Sequence, residues 1–244
     1  MLMRATTILS LMLVGTISSL GQTRPTNLKP GSVEAMAFFE RIEDRSFDDY
    51  LRRVRLPKVS PAFKAEVMTR LAISDEIKPS ERMSAKLSAL APALRFHERD
   101  KIVGIKIVNL PHAFVGLQGR AALLISEKAL SLLSTEELLA VVAHEMGHDY
   151  FWGGFVEARQ RKQYETMREL ELRSDAIAVI TMLRLGIDPA KLISRLLRMN
   201  DFNARVVNTD NRPYPSSSER FKFIRAMTEM AQSRNTAETI AARR

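Results

Sequence analysis

Residues 138–148 read LLAVVAHEMGH, an apolar run interrupted only by two histidines and one glutamate. Ser134-Thr135-Glu136-Glu137 just before it is a capping box, in which Ser134 closes the helix start and Glu137 reaches back to it. The pattern therefore predicts a helix that is apolar nearly all round and so buried. Within it, His144 and His148 are four residues apart, which puts both imidazoles on one face about one turn apart. Burying two imidazoles and a carboxylate is costly unless something pairs them. A tetrahedral zinc ion shared by His144 and His148 does so, and Glu145, next along the helix, can then lie beside the metal as a proton acceptor without ligating it. The bland alternative is two hydrogen-bonded core histidines with a salt-bridged glutamate.

The 244-residue chain contains no cysteine, so a disulfide framework, a thiolate metal site and a lipid anchor on cysteine are all excluded. Any metal must be held by nitrogen and oxygen, and zinc needs a third protein ligand while the fourth position stays open. The other two histidines, His97 and His112, lie upstream and read as structural or surface residues. The acids downstream are Glu157, Glu165, Glu169, Glu171 and Asp175. Glu169 is four residues before Arg173 and falls on a solvated face. Glu171 shares a half-apolar face with Tyr164, Met167, Ala178 and Met182, and Asp175 is on that face too. Two acids at i and i+4 repel unless a cation sits close, which points to Glu171 as third ligand and Asp175 as acceptor for a histidine N–H. Two alternatives stay open. Arg168 and Arg173 could neutralise the pair, and a simple hairpin at Gly153-Gly154 would bring Glu157 nearer than Glu171.

Around this segment the chain divides by composition. Residues 1–21 read as an export signal, with Arg4, an apolar run from Ile8 to Leu20, and small residues Ser19 and Gly21 before the expected cleavage. The expected location is thus periplasmic or extracellular, with an uncleaved N-terminal anchor as the alternative. Residues 22–32 look like a linker, and 33–95 form an N-terminal helical region, with helix patterns over 33–53, 62–73 and 80–91. Lys101–Val108, Ala113–Leu117 and Ala121–Ile125 read as strands of a small three- to four-stranded sheet, with a turn at Gln118-Gly119. Helices follow over about 164–185, 189–200 and 217–232, and 235–244 reads as a tail. The fold class expected is α+β, mainly helical. Net charge is +9, but Lys and Arg are scattered among acids. That argues against a nucleic-acid partner and leaves peripheral attraction to an anionic membrane open.

With these residues in view, the chain resembles the HtpX-like zinc metallopeptidases, metallopeptidase family 48, of gluzincin type. The likeness spans roughly 100–226. It rests on His144-Glu145-Met146-Gly147-His148, on Glu171-Leu-Arg-Ser-Asp175, on the turn Gly186-Ile187-Asp188-Pro189, and on Tyr214-Pro215-Ser-Ser-Ser-Glu219-Arg220-Phe221. The resemblance implies a zinc metallopeptidase domain over 96–234, one Zn(2+) per chain, Glu171 as third ligand, and endopeptidase action on protein or peptide substrates. It also implies that the strand at Ala113, Phe114 and Val115 receives substrate as an added strand. Exported members act in quality control of envelope proteins. Tyr214 stands where the family usually has histidine, so either the phenol donates to the developing oxyanion or that role is lost. Arg220 could orient this segment by pairing with an acid. A zinc-bearing chaperone-like or protein-binding module that no longer cuts is the rival reading, and oligomeric state is open.

Overall fold

The computed structural model describes residues 46–71, 76–206 and 214–242, together with 34, 35, 37, 38 and 42. The expected signal and linker over 1–32 lie outside these. After the helical residues 34, 35, 37 and 38, the described residues form three short helices, α1 (Phe47–Val54), α2 (Pro61–Arg70) and α3 (Glu81–Ser88), each opened by a serine whose hydroxyl accepts from a backbone N–H of the first turn. Ser46 is extended, so α1 is a helix of its own within the region read as helical over 33–53. After α4 (Ala91–Phe96) come strands β1 (Gly104–Val108), β2 (Val115–Gln118) and β3 (Ala122–Ser126). The remainder is helical: α5 (Glu127–Leu132), α6 (Thr135–Tyr150), α7 (Trp152–Gln160), α8 (Tyr164–Arg184), α9 (Ala190–Ala204) and α10 (Ser217–Ala242). The last helix runs past position 232, where the sequence pattern weakens. Its extension, SRNTAETIAA, holds no proline or glycine to stop it. Among the described residues, no helix is long and apolar enough to cross a membrane.

The sheet has three strands in the order β1-β3-β2, with β1 parallel and β2 antiparallel to β3. Beyond them Glu76 makes a single antiparallel bridge to Val108. Gly119 (φ 52°) and Arg120 (φ 58°) both take left-handed backbone, the conformation a tight β2-β3 hairpin demands. Since β3 is central, β2 is a sheet edge, and Pro111 lies in the connection that enters it rather than in a ladder.

Helix α6 is apolar all round because it divides two cores. One face, with Leu138, Val141, Val142 and Met146, packs with β-strand residues Ile107, Leu123 and Ile125 and with Leu90 and Leu94 of the α3–α4 region. The opposite face, with Ala140 and Ala143, meets α8 and α10 together with Phe38, Phe47 and Leu51. Burying each large side chain contributes about 1.5–3 kcal/mol. The described residues between 34 and 54, and residues of 81–96, thus share cores with the helix that carries the histidines.

His97, fully buried, ties these layers together. The Thr181 hydroxyl donates to the Ile177 carbonyl (2.7 Å) and so accepts from His97 Nε2 (2.9 Å), which leaves His97 Nδ1 to accept from the Tyr150 hydroxyl (2.9 Å). The network requires a neutral ring. Burial, with Arg55 and Arg99 adding repulsion, pushes His97 down to about 3. Between about pH 6.5 and 3 the unfolded chain therefore holds a proton on His97 that the native chain does not, and the His97 contribution to stability falls as pH is lowered, by up to roughly 1.4 kcal/mol per unit. Denaturant melts of chelator-treated protein from pH 7 to 5 check this. The stability gap between wild type and His97→Gln should narrow as pH falls, whereas a pH-independent gap would contradict the assignment.

Candidate metal centre

The start of α6 is closed as the sequence predicts. Ser134 Oγ accepts from Glu137 N (3.2 Å) and Glu137 Oε2 from Ser134 N (2.8 Å). Glu137 is also held by Ser194 and by Arg198 Nε (3.0 Å) from α9. Fixing this end fixes the position of the histidines two to three turns later. At the far end, buried Asp149 takes Arg99 Nη2 (2.5 Å) and Arg120 Nε (2.6 Å), which locks α6 to the loops beside the sheet.

His144 Nε2 and His148 Nε2 are 3.1 Å apart. Glu171 Oε2 is 3.3 Å from the first and Glu171 Oε1 3.6 Å from the second. Ligands about 2.0–2.1 Å from a tetrahedral zinc are about 3.3 Å from one another, so these three side chains fit that ion. Glu145 joins the two histidines in a cluster whose ligand atoms lie within 4.8 Å of one another.

Glu171 reaches the histidines because α6 does not end in a hairpin. Gly153 and Gly154 fall inside α7 rather than in a loop, and the chain reverses only at Lys162, where φ is +54°. Residues 152–163 are thus a helical detour that returns α8 against α6 two turns before Glu171. Glu157, the rival acid, pairs with Arg161 (3.1 Å). Arg173 is taken by Glu169 (2.6 Å), and Arg168 by Glu165 (3.3 Å) and by Glu219. Neither arginine is available to neutralise Glu171.

Asp175 supports the centre from below. Its Oδ1 accepts from His144 Nδ1 (2.9 Å), and both its oxygens take Arg220, at 2.6 Å and 2.8 Å. Nδ1–H of His144 is therefore donated away and Nε2 is left facing Glu171, the tautomer a metal requires. Burial and Arg220 would pull His144 down, but Asp175 and Glu171 together outweigh them and the net direction is up. Burial would raise Glu171, yet His148, His144 and Arg220 outweigh it and hold Glu171 at about 2. His148 is supported less firmly, with Ser174 Oγ 3.4 Å from its Nδ1.

A cleft opens over these groups, floored by the histidines and walled by β2, by α7 at Trp152 and Phe155, and by Arg195, Tyr214 and Arg220. The Phe114 N–H donates to Ser126 Oγ and its C=O accepts from the Ser126 N–H, so Phe114 faces β3 and the alternate residues Val115 and Leu117 turn their backbone groups away from β3 and toward the cleft. The Leu117 N–H donates to Glu145 Oε2 (3.0 Å). Of the expected strand residues, Ala113 and Phe114 have their backbone groups paired already. Ala113 N–H and C=O both bond the Asn203 side chain, at 2.8 Å and 2.9 Å. The open edge is therefore the N–H and C=O of Val115 and the C=O of Leu117, the Leu117 N–H being taken by Glu145, and the register shift follows from Asn203, which no sequence pattern revealed. Tyr214 lies at the cleft mouth, 40% exposed. Its covered part and neighbouring Glu171 raise its phenol, which Arg159 partly offsets by a hydrogen bond.

Sequence reasoning also passed over Ser174 and Arg195. Arg195 occupies the buried stripe of α9 between Leu192 and Leu196, a place where the helical pattern calls for an apolar residue, and that mismatch was its signal.

A family model described as Peptidase family M48 matches residues 78–150, from the residues just before α3 to the end of α6. No curated protein matches the chain. The matched stretch contains His144, Glu145 and His148, while Glu171, Asp175 and Arg220 come from beyond it.

The meeting of α6 with α8 depends on Gly147. A Cβ there would lie 2.6 Å from Ser174 Cα and 2.8 Å from its carbonyl oxygen, both backbone atoms. Gly147→Ala should cost about 1–3 kcal/mol and, by moving Glu171 from the histidines, weaken zinc binding at least about tenfold. Gly153→Ala, with nothing within 4 Å, is the control and should leave both unchanged. Thermal melts and zinc titration of the two variants test this.

Proposed function

We propose, on the premise that this chain is a zinc metallopeptidase of peptidase family M48, that it is an exported endopeptidase holding one zinc per chain and cutting extended protein segments. The observation that carries the reading is the convergence of His144, His148 and Glu171 at 3.1–3.6 Å in an open cleft. Bound there, zinc would supply a Lewis acid that polarises a peptide carbonyl and makes water a better nucleophile.

The chain's own residues do the rest. A peptide laid along Val115–Leu117 would add a strand to the sheet edge, held there through its backbone. The Leu117 N–H orients the Glu145 carboxylate without protonating it, leaving its other oxygen to take a proton from the attacking water. Glu145 then returns that proton to the departing amine. The raised phenol of Tyr214 stays protonated at neutral pH and can donate to the oxygen on which charge develops. Asp175 and Arg220 act through His144, which they hold in one tautomer. The apolar leader over 1–21 supports export, and hence a role on envelope proteins. The net charge of +9 suits loose contact with an anionic membrane.

A casein and peptide-library digest of the zinc-loaded protein tests the reading. Cleavage should disappear with chelator and return with zinc. Glu145→Gln should lower cleavage at least about 10²-fold while one zinc per chain is retained. Zinc bound in wild type without any cleavage would favour a binding module instead. Tyr214→Phe should reduce kcat roughly 10²-fold with little change in KM. An unchanged kcat would remove Tyr214 from the chemistry.

A further inference from the structure

One group in the cleft has no part in this scheme. Arg195 is 6% exposed and lines the cleft with His144, Glu145 and Tyr214, yet among the described residues its Nε and Nη2 have no hydrogen-bond partner. A buried guanidinium without a partner is costly, and α9 could hold leucine or methionine at this position without loss. The nearby carboxylates are committed elsewhere. Asp175 is taken by Arg220 and His144, Glu171 faces the histidines, and Glu145 accepts from Leu117. Arg195 is not surplus to a negative pocket either. Glu145, Glu171 and Asp175 carry three negative charges against two on Arg195 and Arg220, and a bound divalent ion brings two more positive ones. With the metal in place the cleft is one positive charge in excess. Exposed Arg159 on its wall adds another. Planar, forked donors that are desolvated and unpaired are suited to a carboxylate.

We propose that Arg195 is a substrate-binding residue that receives a carboxylate of the bound peptide, so that the cleft selects substrates presenting an acidic group beside the cut bond. The carboxylate can come from an Asp or Glu side chain or from a free C-terminus. This rests on the peptidase reading above and adds to it a substrate class.

The test uses zinc-loaded protein and matched quenched peptides. One set carries a single Glu or Gln at each of three positions on either side of the cut bond. A second set ends in a free acid or an amide near the cut. Wild type should favour the acidic member of one set at least about tenfold in kcat/KM, the Glu set identifying a side chain and the free-acid set a C-terminus. In Arg195→Met this ratio should fall to about one, and Arg195→Lys should restore part of it. The Arg195→Met protein should melt no lower than wild type, since it loses an unpaired buried charge. An undiminished preference in Arg195→Met, no preference in wild type, or an equal loss of kcat for acidic and neutral peptides would each overturn the proposal. Anisotropy binding of the same peptides to zinc-loaded Glu145→Gln protein, and to its Arg195→Met double variant, reads the preference without cleavage. An acidic preference in binding that Arg195→Met removes, where wild type cuts nothing, would support the carboxylate site while the endopeptidase reading fails.

Discussion

The cleft exists because two helices approach until the backbone of one touches the other. Gly147 of α6 lies against Ser174 of α8 with no room for a Cβ. Ser174 sits between Glu171 and Asp175, so this single contact sets the depth at which both acids meet the histidines. One turn of either helix away from it, the donors would miss. The glycine between the two histidines is therefore a packing requirement of the site, although it contributes no atom to it.

Such an approach brings charges together in a dry interior, and the structure balances them in pairs. Asp175 is shared between His144 and Arg220, which satisfies a fully buried carboxylate and fixes an imidazole in the same stroke. Farther along α6, Asp149 does the same between Arg99 and Arg120. The apolar burial on both faces of α6 offsets the cost that remains. Among the described residues of the cleft Arg195 is the exception, and an unbalanced buried charge there suits the carboxylate recognition proposed above.

The sheet, though small, positions the chemistry. The order β1-β3-β2 leaves β2 at the edge, and the left-handed pair Gly119-Arg120 holds its register on β3. A slip of one residue would turn the Leu117 N–H toward β3 and release Glu145. In the proposed function, substrate recognition and orientation of the proton acceptor are thus linked through one strand.

Much of this was legible in the chain. The capping box, the all-round apolar pattern and the i, i+4 histidines are local features, governed by helical periodicity, and they located α6 and its polar face. The face shared by Glu171 and Asp175 was readable for the same reason, as were the three short strands. Tertiary structure alone decided what depends on distant pairs of residues. That Glu171 rather than Glu157 meets the histidines follows from α7 being a helix with its reversal at Lys162. That the open edge begins at Val115 follows from Asn203, ninety residues away, occupying Ala113. That Arg195 faces the cleft follows from how α9 crosses α6. Periodicity tells which side of a helix is buried, but a hydrogen-bond partner or an empty space beside it is set by the packing of elements far apart in the sequence, and nothing local encodes it.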